Sequence, residues 1–324
     1  AGQPDGPGSI RFSAAETAEP DLGHIVENRR LLWALYGTSA LRERVTLLRS
    51  RLTGLALDGD APVMTLEDGR RFDARLVIAA DGGHSKLREL AGIRSDAQVY
   101  DQHAVVAHVS TAEPHRSTAW QRFLPEGPIA LLPLGDGRSS IVWTTTPAHA
   151  ERLLALSDAD FGREVESAAD SVLGAVTAGG PRAAYPLRML HSRDYCRPGL
   201  VLVGDAAHTV HPLAGQGVNL GFLDAAALVQ VLAEAHRDGA PIDALGELRG
   251  LRRYERWRKS ENAFALALID GLNRLFSNTD PRLASLRRTG LDLIDRSASA
   301  KRLMIMRALG VAGDVPDAAR LVVD

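Results

Sequence analysis

The chain lacks most of the features that would place it in a specialised class. It has a single cysteine, Cys196, in 324 residues, so no internal disulfide can form and a reducing compartment is expected. That cysteine sits in a polar stretch, Arg193-Asp-Tyr-Cys-Arg-Pro, with no cysteine or histidine cluster beside it, and reads as structural. Neither sign of charge dominates: a net charge of −2 and a pI near 6.6 give no electrostatic case for nucleic acid. No run of about 18 apolar residues is present, so no membrane-spanning helix is expected. The opening Ala1-Gly-Gln-Pro-Asp-Gly-Pro-Gly-Ser9 has neither the basic start nor the apolar core of a signal peptide, and it reads like a loop from within a longer protein. A cytoplasmic location follows as an expectation. Repeats and low-complexity stretches are absent, as is a Gly-x-Ser-x-Gly nucleophile elbow.

What remains is ordinary globular composition, 45% apolar and 24% charged, in a chain long enough for two domains. The most informative stretch is 200–224, Leu-Val-Leu-Val-Gly-Asp-Ala-Ala-His-Thr-Val-His-Pro-Leu-Ala-Gly-Gln-Gly-Val-Asn-Leu-Gly-Phe-Leu-Asp. An apolar strand ends at Gly204-Asp205, a Pro/Gly loop follows, and a helix opens at Gly215-Gln216-Gly217 to run to about Ala235. Ligands of open α/β sheets sit beyond the carboxyl ends of the parallel strands. An Asp at that edge is placed to accept hydrogen bonds from ligand hydroxyls. A glycine-rich helix start admits an anionic or acceptor-rich ligand to the backbone N–H groups. Gly215-x-Gly217-x-x-x-Gly221 is not a dinucleotide fingerprint, because that motif needs its first Gly directly after the strand and here eleven residues intervene after Val203. His208 and His211 lie in a Pro-containing loop without a third ligand, so no metal is expected.

Upstream, Arg51–Leu57, Pro62–Leu66 and Arg71–Phe72 form a meander turned by Asp58-Gly-Asp and Asp68-Gly. Ala74–Ala80 is an apolar run of the kind found in buried parallel strands. It ends in Asp81-Gly82-x-x-Ser85-x-x-Arg88, where Arg88 offers paired donors to a phosphate or carboxylate. Between the two motifs, His103–Ser110, Thr118–Leu124, Ile129–Leu134, Ser139–Thr145 and Ala184–Leu190 read as strands of a mainly antiparallel inserted domain, interrupted by a helix at Asp158–Leu173. Leu22–Leu35 starts extended and becomes helical. Asn28 stands at that change, a position that suits a helix N-cap. Helices at about Ala244–Phe276, Pro281–Ser297 and Ala300–Leu309 close the chain.

Gly204, Asp205, Ala206, Ala207, His208, Pro212, Gly215, Gln216, Gly217, Asn219 and Asp224 together resemble the Gly-Asp motif of flavin-dependent aromatic hydroxylases, and Asp81-Gly82-x-x-Ser85-x-x-Arg88 resembles their Asp-Gly motif. Leu22-Gly-His-Ile-Val-Glu-Asn28, the insert around Trp120–Trp143, Ala184-Tyr-Pro-Leu-Arg188 and Asp270-Gly-Leu-Asn-Arg-Leu-Phe-Ser277 narrow the resemblance to the ubiquinone-biosynthesis hydroxylases. The resemblance implies an α/β fold: a doubly wound FAD-binding domain with an inserted antiparallel substrate domain and C-terminal helices. The expected division is FAD-binding residues 1–97 and 192–243, substrate domain 98–191, and a helical region 244–324. FAD is the implied cofactor, with Gly204, Asp205, Pro212, Gly215, Gln216, Gly217, Asn219, Asp81, Arg88 and Asn28 as its contacts; Asn28 keeps the N-cap role as an alternative.

The implied reaction is NAD(P)H- and O₂-dependent hydroxylation of a polyprenylated phenol through a C4a-hydroperoxyflavin. The chemistry is mostly the cofactor's, so no catalytic side chain is assigned. His211-Pro212 is expected over the flavin edge, and Trp120, Phe123 and Trp143 serve either as a prenyl pocket or as sheet core. Members of this family hold the ADP half of FAD on an amino-terminal βαβ unit with Gly-x-Gly-x-x-Gly. Nothing upstream of Asn28 carries that fingerprint, so the chain is expected to lack the first Rossmann unit and to bind FAD weakly alone. The rival readings are a flavin reductase or halogenase, although a Trp-x-Trp signature is absent, and a non-catalytic scaffold of a biosynthetic complex. A ubiquinone-biosynthesis complex is a candidate partner in either case. The basic stretch Leu251-Arg-Arg-Tyr-Glu-Arg-Trp-Arg-Lys259 reads either as a solvated helix face or as a peripheral membrane contact.

Overall fold

The computed structural model describes residues 8–16, 20–276, 289–308 and 313–320. The chain forms two compact units. One holds residues 47–99, 188–270 and 310–324; the other holds 1–46, 100–187 and 271–309. The first carries both Asp motifs and is called the motif unit below; the second carries the insert.

In the motif unit, β1 (Leu52–Ala56), β2 (Val63–Leu66) and β3 (Arg71–Asp73) make the expected antiparallel meander, with Met64 opposite both Leu55 and Phe72. Strand β4 (Val77–Ala79) then pairs in parallel with β12 (Leu200–Leu202), in the register Val77↔Leu200 and Ala79↔Leu202. β11 (Cys196–Arg197) adds to β12 in the antiparallel sense. Among the described residues, β4–β12 is the parallel pair of this three-stranded sheet.

Leu200, Val201 and Leu202 are fully buried against Ala227, Leu228 and Val231 of α6 (Gly217–Arg237) and against Leu251 and Tyr254 of α7 (Leu248–Phe276). Truncating any one of these leucines to Ala would cost about 2–5 kcal/mol. Tyr254 also donates from its hydroxyl to the Leu202 carbonyl at 2.8 Å, closing a backbone acceptor in the core. Cys196 is buried here as well. Burial pushes its thiol up to about 12, and Sγ donates to Glu255 at 3.3 Å, which makes it an inert packing residue.

By length and composition α6 is long and apolar enough to cross a membrane, which the expectation from apolar runs had missed. One face of it packs in the core, where Leu220, Ala227, Leu228, Val231 and the charged Asp224 are buried, while Val218, Phe222 and Val229 are exposed.

The second unit is organised on an antiparallel sheet in the order β10 (Ala183–Ser192), β5 (Ser95–Thr111), β8 (Ser139–Thr145), β7 (Gly127–Pro133), β6 (Trp120–Leu124), with β9 (Val176–Ala178) pairing separately with β5. Side chains alternate across the sheet as the period of two requires. Val105, Ala107, Val109, Ile141 and Trp143 face a core closed by Leu153 of α4 (Pro147–Ala155) and by Phe161 and Val165 of α5 (Asp158–Ala168). Trp143 is 3% exposed in that core and Trp120 packs against it, so these two are core aromatics rather than pocket walls. Phe123 stacks on Phe276, ring centroids 4.0 Å apart.

The helix expected at 158–173 is α5, which ends at Ala168, and an unexpected helix, α4, precedes it. Thr146 accepts from the His149 N–H and Pro147 opens α4, whereas Ser157 accepts from the Asp160 N–H to open α5. Residues 8–46 group with this unit rather than with the motif unit. Asp292 and Asp295 accept from the backbone of Gly8 and Arg11, and Lys301 pairs with Glu16 at 2.7 Å. At the chain's end, 289–295 and Ala298–Ala308 are helical, and 277–288 of the expected Pro281–Ser297 helix lie outside the described residues.

Candidate functional site

Strands β4 and β12 run side by side, so both motif loops leave the same edge of the sheet. The pairing continues one step beyond the strands, where the Val203 N–H donates to the Ala79 carbonyl at 3.0 Å. Asp81-Gly82 and Gly204-Asp205 follow immediately. Two stretches far apart in sequence thus meet at the position where open α/β sheets bind ligands.

Asp205 is exposed, and its carboxylate has no hydrogen bond or ion pair with the described residues. The loop that presents it is shaped by glycine. Gly204 has φ +58°, in the left-handed region, and a Cβ there would lie 3.5 Å from the Gly221 Cα, so the Gly204/Gly221 pair lets α6 approach the loop closely. Pro212 begins a short 3₁₀ turn for which the His211 Nδ1 accepts from the Leu213 N–H at 3.1 Å, and Gly215 ends it at φ +61°. Helix α6 then starts at Gly217. Its N-cap, Gln216, makes no side-chain cap bond, and no acidic residue sits in the first turn. With Asn219 and Gly217 at least partly exposed, the first N–H groups of a long helix stand uncapped by side chains, a ready anion or acceptor site.

Behind this loop lies a buried network that the sequence reading left out of the site. Asp224, on the second turn of α6, is fully buried. One of its oxygens accepts from the Gly204 N–H at 3.0 Å and from the His208 Nε2 at 2.6 Å; the other accepts from the Arg258 Nε at 2.8 Å and the Asn262 Nδ2 at 3.1 Å. Burial works against its charged form, but the His208 bond and the Arg258 guanidinium more than offset it and hold the carboxyl below its ordinary value. Arg258, 1% exposed, also donates to the Asn262 Oδ1 at 3.0 Å. Arg258 and Asn262 stand four apart on α7 and so share one helix face.

Within the basic stretch 251–259 only Arg258 is buried among the cations, while Arg253 and Arg256 stay exposed. Arg258 is consumed by Asp224, Arg252 pairs with Glu255, Arg253 pairs with Glu234, and Lys259 donates to the Arg193 carbonyl.

The Asp-Gly loop is organised differently from expectation. Asp81 accepts from the Ser85 hydroxyl and, at 3.1 Å, from the Leu87 N–H, and Ser85 caps α3 (Lys86–Leu90) by accepting from the Arg88 N–H. Arg88 does not reach outward with both donors. Its Nη1 donates to the Ala206 carbonyl at 2.8 Å and its Nη2 to the Gly83 carbonyl at 2.9 Å, which stitches one motif loop to the other. Burial and the nearby Arg188 charge lower its pKa, with Asp81 opposing them. A Cβ at Gly83 would lie 2.5 Å from the Arg188 Nη2, so the end of that side chain would have to shift. Alongside runs a cleft of about 480 Å³ whose lining includes His84, Arg88, Glu89, Arg94 and Arg193, the last paired with Asp96 at 2.7 Å.

Asn28 lies in the other unit. It is the first residue of α1 (Asn28–Tyr36), and the N-cap is Glu27, which makes no side-chain cap bond, so the capping role does not fall to Asn28. It lines a separate cleft of about 390 Å³.

Comparison with known proteins places the chain in a family. The family described as FAD binding domain matches residues 48–259. Ubiquinone hydroxylase UbiL of Rhodospirillum rubrum is 40% identical over 314 residues, covering 97% of this chain and 72% of that protein. The 3-demethoxyubiquinol 3-hydroxylase of Escherichia coli is 39% identical over 305 residues, covering 93% and 76%. Among solved structures, OxyS anhydrotetracycline hydroxylase from Streptomyces rimosus superposes with a TM-score of 0.67 at 25% identity, over 95% of this chain and 61% of that one. The p-nitrophenol 4-monooxygenase PnpA from Pseudomonas putida shares the fold, with a TM-score of 0.65 at 19% identity over 81% of this chain and 66% of that one.

Proposed function

This chain belongs to the family of FAD-dependent aromatic hydroxylases, the class A flavin monooxygenases, and from that premise we propose that it hydroxylates the ring of a polyprenylated phenol in ubiquinone biosynthesis, using NAD(P)H and O₂. The observation that carries the reading is the juxtaposition at one sheet edge of an uncommitted Asp205 carboxylate and an α6 start with no side-chain cap. Those groups suit FAD: Asp205 as acceptor for its sugar or ribityl hydroxyls, and the helix N–H groups at Gly217 as donors to its electron-rich ring edge. Gly204, Pro212, Gly215, Gln216 and Asn219 shape that edge, and β4–β12 serves as the parallel pair of a doubly wound FAD domain.

FAD, when bound, supplies reduction of O₂ and transfer of one oxygen atom to the ring. The protein's part is to hold the cofactor, exclude water and orient the phenol. In the motif unit, the cleft with His84 and Arg94 offers donors to the anionic NAD(P)H. Arg88 enters this account as the clamp between the two motif loops. The substrate class rests on the identity to ubiquinone-pathway hydroxylases over nearly the whole chain.

Titrating wild type and Asp205→Ala with FAD, read by flavin fluorescence, tests the cofactor half of the reading. Loss of hydrogen bonds to a carboxylate should cost about 1–3 kcal/mol, roughly 5- to 150-fold in affinity, with the far-ultraviolet spectrum unchanged. Equal affinities would remove Asp205 from the site.

A further inference from the structure

The sheet of the insert has a second face, turned away from the core, and it carries chemistry that neither Asp motif accounts for. His108 on β5 and Ser140 on β8 are directly opposite each other in the ladder. Such partners hold their Cβ atoms about 4.5–5.5 Å apart on one face. Both line the cleft of about 390 Å³ that also includes Ile25, Val26, Asn28 and Leu134. The lining is mixed: Ile25, Val26 and Leu134 are apolar, Asn28, His108 and Ser140 offer hydrogen-bonding groups, and Arg29 adds a cation. The acidic member of the lining, Glu27, is paired with Arg30 at 3.1 Å.

His108 is held in one tautomer. Arg138, just before β8, donates from Nη1 to the His108 Nδ1 at 3.4 Å, and a guanidinium has donors only. Arg138 is itself fixed by Asp136, which accepts from its Nε at 2.9 Å and its Nη2 at 2.6 Å. Since Nδ1 accepts, the neutral ring carries its proton on Nε2. No partner among the described residues takes that N–H. The arrangement Asp136–Arg138–His108 thus ends in an oriented donor inside a half-apolar cleft.

We propose that His108 is a substrate-binding residue that selects the ionised form of the phenol, its Nε2–H and the Ser140 hydroxyl receiving the phenolate oxygen; this rests on the ring-hydroxylase reading above. The phenol gives its proton to bulk water, and no bond of the protein is made or broken. A charged oxygen accepts hydrogen bonds more strongly than a neutral one, so two donors lower the phenol's apparent pKa on binding. An ionised ring is the electron-rich form suited to accept an oxygen atom.

The experiment uses flavin-loaded wild type, His108→Phe and His108→Gln with a short-chain prenylated nitrophenol, whose ionised form is coloured. The bound phenolate fraction is followed against pH, with FAD affinity measured in parallel. Wild type should shift the probe towards phenolate. His108→Phe should abolish that shift and weaken phenolate binding tenfold or more, whereas His108→Gln, which keeps an amide N–H in place of Nε2–H, should retain most of it. FAD affinity should match in all three. Phenolate binding by His108→Phe equal to wild type overturns the assignment of His108 and leaves the substrate reading standing. A flavin-loaded wild type that binds no prenylated phenol overturns the substrate reading, and this assignment with it.

Discussion

Replacing Asp224 by Asn changes one atom and removes one charge, yet it should be among the most damaging substitutions in the motif unit. The carboxylate accepts four hydrogen bonds, two on each oxygen, from Gly204, His208, Arg258 and Asn262. An amide presents one acceptor oxygen and one NH₂. In one orientation the NH₂ meets Arg258 and Asn262, and in the other it meets Gly204 and His208, whose neutral ring can turn Nε2 into an acceptor, so at least one of the four bonds is lost. The Arg258 guanidinium, 1% exposed, is then left without its counter-charge. Breaking a buried pair in this way costs about 3–5 kcal/mol, against the roughly 5–15 kcal/mol that a domain has in total. At about 2–4 °C per kcal/mol for a domain of 150–250 residues, the melting temperature of Asp224→Asn should fall by roughly 6–20 °C.

The same reasoning yields a control. Asp224→Leu with Arg258→Met replaces the pair by apolar groups and should recover much of the stability. It should not recover FAD affinity, because the Gly204 N–H and His208 still lack the acceptor that shapes the loop. Differential scanning calorimetry and FAD titration on wild type and the two variants separate the two effects. A melting temperature for Asp224→Asn within about 2 °C of wild type would refute the energetic argument, since the smallest loss expected is three times that.

Three other substitutions probe the loop from different sides. Gly217→Val meets only an ordinary 3.5 Å contact to Val210, so the fold should survive, but a side chain at the helix start should keep N–H groups from the reduced flavin and make its midpoint potential more negative, as redox titration will read. Gly204→Ala forces a side chain into φ +58°, and urea unfolding should show a loss of about 1–2 kcal/mol, with weaker FAD binding. Burial, opposed by Asp270, lowers the pKa of His211 to about 4, so the unfolded chain binds its proton first: the stabilisation is present above about pH 6.5 and disappears as pH falls through 4, worth roughly 3 kcal/mol. His211→Asn keeps an acceptor for the Leu213 N–H and should flatten the stability curve between those two pH values; an unchanged slope would count against this origin of the acid sensitivity.

Much of this was legible in the chain itself, for reasons that differ by region. The hairpin meander and the insert strands carried period-two alternation broken by Gly and Pro, and Ser139–Thr145 fell where that alternation puts it. The two Asp loops could be read because their chemistry is local: strand, Asp, glycine, helix start. What depended on tertiary packing was not legible. Arg258 looked like part of a basic face, solvated or membrane-facing, and only docking of α7 against Asp224 turned it inward; Asn262 carried no signal of its own. Arg88 looked like a phosphate ligand, but the neighbouring loop's Ala206 carbonyl lies close enough to claim one of its donors. The α4/α5 boundary did have a sequence signal, Thr146-Pro147 and Ser157-x-x-Asp160, which a capping argument would have found.

The central claim is that this chain's family chemistry is exercised on a prenylated phenol. The most direct measurement supplies the flavin-loaded protein with a polyprenylated phenol, NAD(P)H and heavy-isotope oxygen gas, and analyses the ring product by mass spectrometry. The account predicts one heavy oxygen atom on the ring for each nicotinamide oxidised, with the label lost when FAD is omitted. Nicotinamide oxidation that yields only hydrogen peroxide, with the phenol recovered unlabelled and unchanged, would contradict it.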